Sequence, residues 1–180
     1  TDEAYDVLAK KKNIRLLTVD FDKINPDKKD LVSVLGGMLV QERDLLHEEP
    51  TEYKVVSKKQ PTEKQMKALA FAQNAVKHVK SNAIVVTTDH QTLGVGSGQP
   101  NRIDSTKIAI KKAETKSDYA NAVLGSDAYF PMDDCVEFAA KHGITAIVEP
   151  GGSIRDQDSI DKADELGIAL VFSGNRHFKH

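Results

Sequence analysis

Several segments of this sequence carry residue types suited to holding a ligand. Gly94-Val95-Gly96-Ser97-Gly98 lies between a run of strand type and a run of helix type. A bare backbone and a helix N-terminus there can present amide groups to an anion. A tight strand-to-helix connection explains the same glycines equally well. The dinucleotide fingerprint is not met, because position 99 is Gln and no acidic residue stands at the ribose position. Arg102, just downstream, has a planar donor fork that suits phosphate or carboxylate, with an ordinary surface arginine as the plain alternative. Ser126-Asp127-Ala128-Tyr129-Phe130-Pro131 falls where a strand should end, the usual place for ligand contacts in open α/β sheets. Its two aromatics could wall a flat heterocycle or simply serve as core and hinge. Pro150-Gly151-Gly152-Ser153, with Arg155 nearby, occupies the equivalent place after the next strand; its plain reading is a glycine turn with Ser153 as helix N-cap. The run Asn175-Arg176-His177-Phe178-Lys179-His180 follows a buried strand, and its two histidines and two cations point to a site there.

Other chemistries find less support. The Lys-His dipeptides at Lys77-His78, Lys141-His142 and Lys179-His180 arise easily by chance, and the first two fall within or at the end of expected helices. There are six histidines, but no His-x-Glu or His-Glu-x-x-His pairing, and Cys135 is the sole cysteine. No metal is therefore expected to be needed, and no internal disulfide is possible. Cys135 reads as a half-buried, inert thiol in a reducing compartment.

The elements that must position these residues follow from periodicity. Ala4, Val7 and Leu8 recur at helical spacing, closed by Lys10-Lys11-Lys12-Asn13, and Ile14 to Val19 reads as a strand. Leu31 to Gln41 reads as strand, bend, strand, with Gly36-Gly37 marking a bulge or a close backbone approach. Asp44 to Thr51 is polar loop, and Tyr53 to Ser57 alternates as a short strand. Thr62 caps a long amphipathic helix whose buried stripe is Met66, Leu69, Ala70, Ala72, Ala75, Val76 and Val79. Ala83 to Thr88 and Thr92 to Val95 form a hairpin, and a helix runs from Asp104 or Ser105 to about Lys116. A strand then starts at Val123. Asp133 or Asp134 caps a helix to Lys141, followed by a strand at Ile144 to Val148, a helix at Asp156 to Leu166 and a strand at Ile168 to Phe172. Short buried strands alternating with helices imply an α/β fold, a mixed and mainly parallel sheet covered on both faces.

With 180 residues, one domain is expected. A net charge of −2, with Lys and Arg distributed along the chain and no broad basic surface implied, argues against nucleic acid as partner, and no apolar run approaches the roughly 20 residues that span a bilayer, so no membrane role is expected. Nothing at Thr1 to Asp6 resembles a signal peptide, so a cytoplasmic setting is expected.

Taken in order, Lys80 to Val85, Gly94 to Arg102, Ser126 to Pro131, Glu149 to Asp156 and Arg176 to His180 resemble the AICAR transformylase region of the bifunctional AICAR transformylase/IMP cyclohydrolase family. The resemblance runs from Leu8 to the last residue. It implies formyl transfer from 10-formyltetrahydrofolate to the 5-amino group of aminoimidazole carboxamide ribotide (AICAR). It implies a three-layer α/β/α subdomain like that of cytidine deaminase, without zinc, and sites built across a homodimer. By that resemblance Asn82 and Arg102 contact the nucleotide, Tyr129 lies against its ring where the family usually has Phe, and Arg176 and His180 complete the pocket.

The sequence departs from the family in lacking the catalytic Lys-His-x-Asn-Pro-Cys-Gly motif, so no catalytic residue is assigned. The chain is expected to be the second, C-terminal transformylase subdomain, inactive alone and needing the missing upstream half. The competing reading is a non-catalytic nucleotide-binding or assembly module of the same fold.

Overall fold

A computed structural model describes residues 1–23 and 29–179, which fall into two compact units, 1–43 and 44–180. The two units differ in burial. In the first unit, helix α1 (Asp2–Leu8) buries no residue, and strands β1 (Lys29–Val34) and β2 (Gly37–Glu42) leave nearly every side chain exposed. Helix α1 starts at Thr1, whose hydroxyl accepts from the Ala4 N–H, and ends at the Ala9 cap, before the expected lysines. Strands β1 and β2 form an antiparallel hairpin from Lys29–Glu42 to Val34–Gly37. Gly36 sits in its turn with φ of 81° and nothing within 4 Å of a would-be side chain, so these glycines make a hairpin turn, not a bulge or a close approach. The strand expected at Ile14 to Val19 does not form. β-branched and leucine-rich residues stay extended only when a neighbouring strand supplies a ladder, and among the described residues none pairs with this stretch.

The second unit holds a six-stranded sheet in the order β3-β8-β7-β6-β4-β5, with β3 at Lys54–Val55, β4 at Ile84–Thr87, β5 at Thr92–Gly96, β6 at Val123–Ser126, β7 at Ala146–Glu149 and β8 at Ala169–Phe172. Strands β6, β7 and β8 are mutually parallel; β4 runs antiparallel to both β5 and β6, and β3 antiparallel to β8. The sheet is therefore mixed, with β5, β6, β7 and β8 sharing one direction.

Period-two alternation sends successive strand residues to opposite faces and builds two cores. Ile84, Val86, Leu124, Ile147 and Leu170 meet helices α3 (Arg102–Ala113), α4 (Asp134–Lys141) and α5 (Asp156–Leu166). Val85, Val123, Val148 and Val171 meet helix α2 (Glu63–Val76) on the other face. The result is the expected three-layer α/β/α arrangement.

Helix α2 opens with a full capping box, in which the Gln65 N–H donates to the Thr62 hydroxyl and the Gln65 side chain accepts from the Thr62 N–H. Its expected stripe is buried at Leu69, Ala70, Ala72 and Val76, while Met66, Ala75 and Val79 are partly buried. Helix α3 begins at Arg102, earlier than Asp104 or Ser105. Cys135 is fully buried, and burial pushes its thiol up to about 12, which makes it inert at neutral pH. Among the described residues no helix is long and apolar enough to cross a membrane.

Candidate functional site

The sheet brings one set of chain ends together. Strands β5, β6, β7 and β8 end at the same edge, and because β4 is antiparallel to β6, with Ile84 opposite Ser126, the start of β4 lies there too. The loops leaving that edge are the segments singled out from sequence. Between them lies a cavity of about 690 Å³, a size typical of small-ligand sites, lined by Asn82, Arg102, Tyr129, Met132, Arg176 and Phe178 among others. Four of the five expected site residues, Asn82, Arg102, Tyr129 and Arg176, thus share one cavity; the fifth, His180, lies outside the described residues.

Arg102 is held differently from the free donor fork expected of it. Its side chain is 5% exposed and paired with Asp127, which is fully buried. Nη1 also donates to Ser126 Oγ at 3.1 Å, and Nη2 donates to Asn82 Oδ1 at 2.9 Å. Asn82 Nδ2 in turn donates to the Gln99 and Pro100 carbonyls at 3.0 and 3.1 Å. Asp127 completes the network by accepting from Ser81 Oγ at 2.5 Å. Arg102 and Asn82 therefore form a preorganised wall, and much of their hydrogen-bonding capacity is spent inside the protein.

The glycine segment likewise serves packing. A Cβ on Gly94 would lie 2.0 Å from the Ala109 carbonyl oxygen, and one on Gly96 would lie 1.9 Å from that of Ser105. These glycines let α3 press onto β5 and bring the α3 N-terminus, at Asn101 to Ile103, into the cavity wall. The tight-connection reading thus accounts for Gly94 and Gly96. At the β7 end, Asp156 carboxylate oxygens accept from the Gly152 and Ser153 N–H groups at 2.7 and 2.8 Å, so these amides are already engaged. Ser153 is not the N-cap of α5; its hydroxyl accepts from the Arg155 N–H in a local turn.

The aromatic pair divides its duties. Phe130 is fully buried in the core, while Tyr129 is half-buried and faces the cavity. The Arg176 guanidinium lies over the Tyr129 ring, 4.7 Å from its centroid, and among the described residues no ion pair engages it. Arg176, not Arg102, is thus the cation available to an anionic ligand. Asp134 also lines the cavity.

Glu149, at the end of β7, was not singled out from sequence as a separate group. It is fully buried, its Oε2 accepts from the Phe130 N–H at 2.7 Å, and among the described residues no geometric hydrogen bond reaches its Oε1. Burial pushes this carboxyl up to about 8, against the opposing pull of the Phe130 N–H. Its role is to hold the loop that carries Tyr129. Gln73 was also missed. It is a buried amide on α2 that donates to the Ser126 carbonyl at 3.0 Å and so supports the end of β6. Lys77-His78 and Lys141-His142 stand at the ends of α2 and α4, where His142 stacks on Phe138 and bonds Glu114, in keeping with structural roles.

Comparison with known proteins adds lineage to this geometry. The profile of the AICARFT/IMPCHase bienzyme family matches residues 1–112. The chain is 66% identical over 180 residues to the bifunctional purine biosynthesis protein PurH of Pediococcus pentosaceus, and 65% identical to that of Leuconostoc citreum. Those matches cover 99% and 100% of this chain and 35% of each relative, so the chain spans about a third of the length of the curated relatives it matches. Among solved structures, a dCMP deaminase from cyanophage S-TIM5 aligns over 61% of this chain and 98% of its own, at 17% identity and a TM-score of 0.41.

Proposed function

The chain belongs to the AICARFT/IMPCHase bienzyme family, and on that premise we propose that its cavity binds AICAR as the C-terminal part of a formyltransferase of purine biosynthesis. The observation that carries this reading is the Arg176 guanidinium beside the Tyr129 ring, without an ion-pair partner among the described residues, in the lining of a cavity of about 690 Å³. Arg176 takes the phosphate, where a planar fork is suited to two oxygens. With Arg176 on one face of Tyr129, the imidazole ring of the nucleotide lies against the other. Asn82 and Arg102 form the rigid wall beside it, and His180, by the family resemblance, closes the pocket.

In the reaction itself the 5-amino nitrogen attacks the formyl carbon of 10-formyltetrahydrofolate. The tetrahedral oxyanion collapses with cleavage of the carbon–N10 bond, the amine loses a proton, and tetrahydrofolate leaves. That amine is a poor nucleophile, so the step needs orientation, a base and oxyanion stabilisation. The present residues supply orientation. The base and the oxyanion donors belong to the upstream half with its Lys-His motif, and a second copy of the chain completes the site in a homodimer. The parent enzyme also carries the cyclohydrolase activity, in a cytoplasmic setting, and no metal is needed for the chemistry.

Calorimetric titration of the chain with AICAR, followed by a formylation assay with and without the upstream segment, tests this reading. Saturable binding, no turnover alone and turnover on complementation are expected. Absence of AICAR binding, or robust turnover by the isolated chain, overturns it.

A further inference from the structure

Two carboxylates outside the cavity, Asp44 and Glu48 on the segment before β3, reach the same buried side chain. His177 is fully buried at its imidazole, with Nδ1 2.5 Å from Asp44 Oδ2 and Nε2 3.0 Å from Glu48 Oε1. Carboxylate oxygens only accept, and a neutral imidazole carries one N–H, so both contacts are satisfied together only by an imidazolium. The carboxylate segment is itself anchored to α2. The Glu48 N–H donates to Asn74 Oδ1 and Asn74 Nδ2 donates to the Glu48 carbonyl, each at 3.1 Å, and Lys77 Nζ donates to the Leu46 carbonyl. On its other side, the His177 N–H donates to the Asp127 carbonyl at 2.9 Å. The two residues that flank His177, Arg176 and Phe178, both line the cavity.

We propose that His177 is a positioning residue for the ligand pocket: by bridging Asp44 and Glu48 it locks the run 176–178 in place and sets Arg176 over Tyr129. This rests on the reading of the cavity as the AICAR site. The clamp joins three elements that the sheet alone does not hold together, namely the segment 44–48, the end of α2 and the chain after β8. Among the described residues, His78 at the end of α2 also feels His177, with Lys77 and Lys179 beside His78, and Tyr53 lies beside Glu48. Burial pulls the His177 imidazole down, but the hydrogen bonds it donates to Glu48 and Asp44, and their charges, outweigh burial and leave its pKa above the ordinary value. A raised histidine pKa makes the clamp complete at low pH and dissolves it as pH rises through the folded value.

The test uses the full chain in three forms: wild type, His177→Leu, and the double variant Asp44→Asn/Glu48→Gln. In the double variant a neutral imidazole donates to one amide oxygen and accepts from the other amide N–H, so the bridge survives without charge. AICAR affinity is measured from pH 6 to pH 9 on the order of one unit apart, alongside nitrogen NMR of the His177 ring. Wild type should show two protonated ring nitrogens at neutral pH and an affinity that falls as His177 titrates. His177→Leu should bind about tenfold more weakly or worse, the scale of one lost charge-assisted hydrogen bond. The double variant should bind near wild type at neutral pH and lose the part of the pH dependence that tracks the His177 ring signal, keeping only what Glu149 contributes. Should His177→Leu fail to fold, wild type and the double variant still decide the matter. Wild-type affinity that stays flat across the His177 titration, or a folded His177→Leu within twofold of wild type, overturns the proposal. A His177 with one protonated nitrogen at neutral pH overturns the clamp whether or not AICAR binds, which separates its failure from failure of the pocket reading.

Discussion

Replacing Asp127 by Ala should be among the most damaging single changes to this fold. The substitution removes the carboxylate that pairs with Arg102, both side chains being at most 5% exposed, and it leaves the Ser81 hydroxyl without its acceptor. The Ser126 hydroxyl at 3.1 Å and the Asn82 amide oxygen at 2.9 Å remain on Arg102, but neither carries charge. Breaking a buried pair costs ~3–5 kcal/mol because the surviving charge stays desolvated, and a stranded buried hydroxyl adds ~1 kcal/mol or more. Against a typical total of ~5–15 kcal/mol that is a large share, and for a chain of this size it corresponds to roughly 10–20 °C in Tm. Urea denaturation at neutral pH, monitored by circular dichroism, measures it directly. The double variant Arg102→Met/Asp127→Leu should recover most of the loss, since an apolar pair of similar volume has no stranded charge. A loss below ~1 kcal/mol for Asp127→Ala, or a double variant no more stable than the single one, would refute the reasoning.

Three further outcomes follow from the same geometry. Gly96→Ala places a Cβ 1.9 Å from the Ser105 carbonyl oxygen, a backbone atom that cannot yield locally, so α3 must shift. A cost of ~1–3 kcal/mol or more, read from urea midpoints, is expected together with weakened AICAR binding. Tyr129→Phe should retain AICAR affinity within a small factor, because the contact with Arg176 needs only the ring, whereas Tyr129→Ala removes the cation–π surface and should weaken binding measurably by calorimetry. Glu149→Gln tests the pH dependence of stability. A carboxyl raised from 4.5 to about 8 keeps its proton in the folded state but not in the unfolded one, so its contribution is complete below 4.5 and is lost as pH rises toward 8. Wild type should lose stability across that window, and the Gln variant should lose distinctly less; equal slopes in the two proteins would contradict the burial argument.

Local features of this chain were readable because they are decided within a few residues. Thr62 and Gln65 form their capping box three positions apart, and α5 spans Asp156 to Leu166 as its polar-apolar spacing implies. The alternation that sends Val85 to one core and Ile84 and Val86 to the other is likewise written in adjacent residues. Where a neighbour was needed, the local reading was incomplete. Ile14 to Val19 has strand composition but no ladder partner among the described residues, and the glycines at 94 and 96, open to two readings in sequence, answer to a helix packed over them.

The site divides along the same line. Sequence alone, through its family resemblance, was enough to single out Asn82, Arg102, Tyr129 and Arg176, and the cavity contains all four. Only the tertiary structure decided that Arg102 is spent on Asp127, 25 positions away, that Arg176 remains available over Tyr129, and that His177 is clamped by Asp44 from 133 positions away. Such pairings depend on which strand lies beside which, and strand order is settled by packing of the whole sheet, not by the residues flanking either partner.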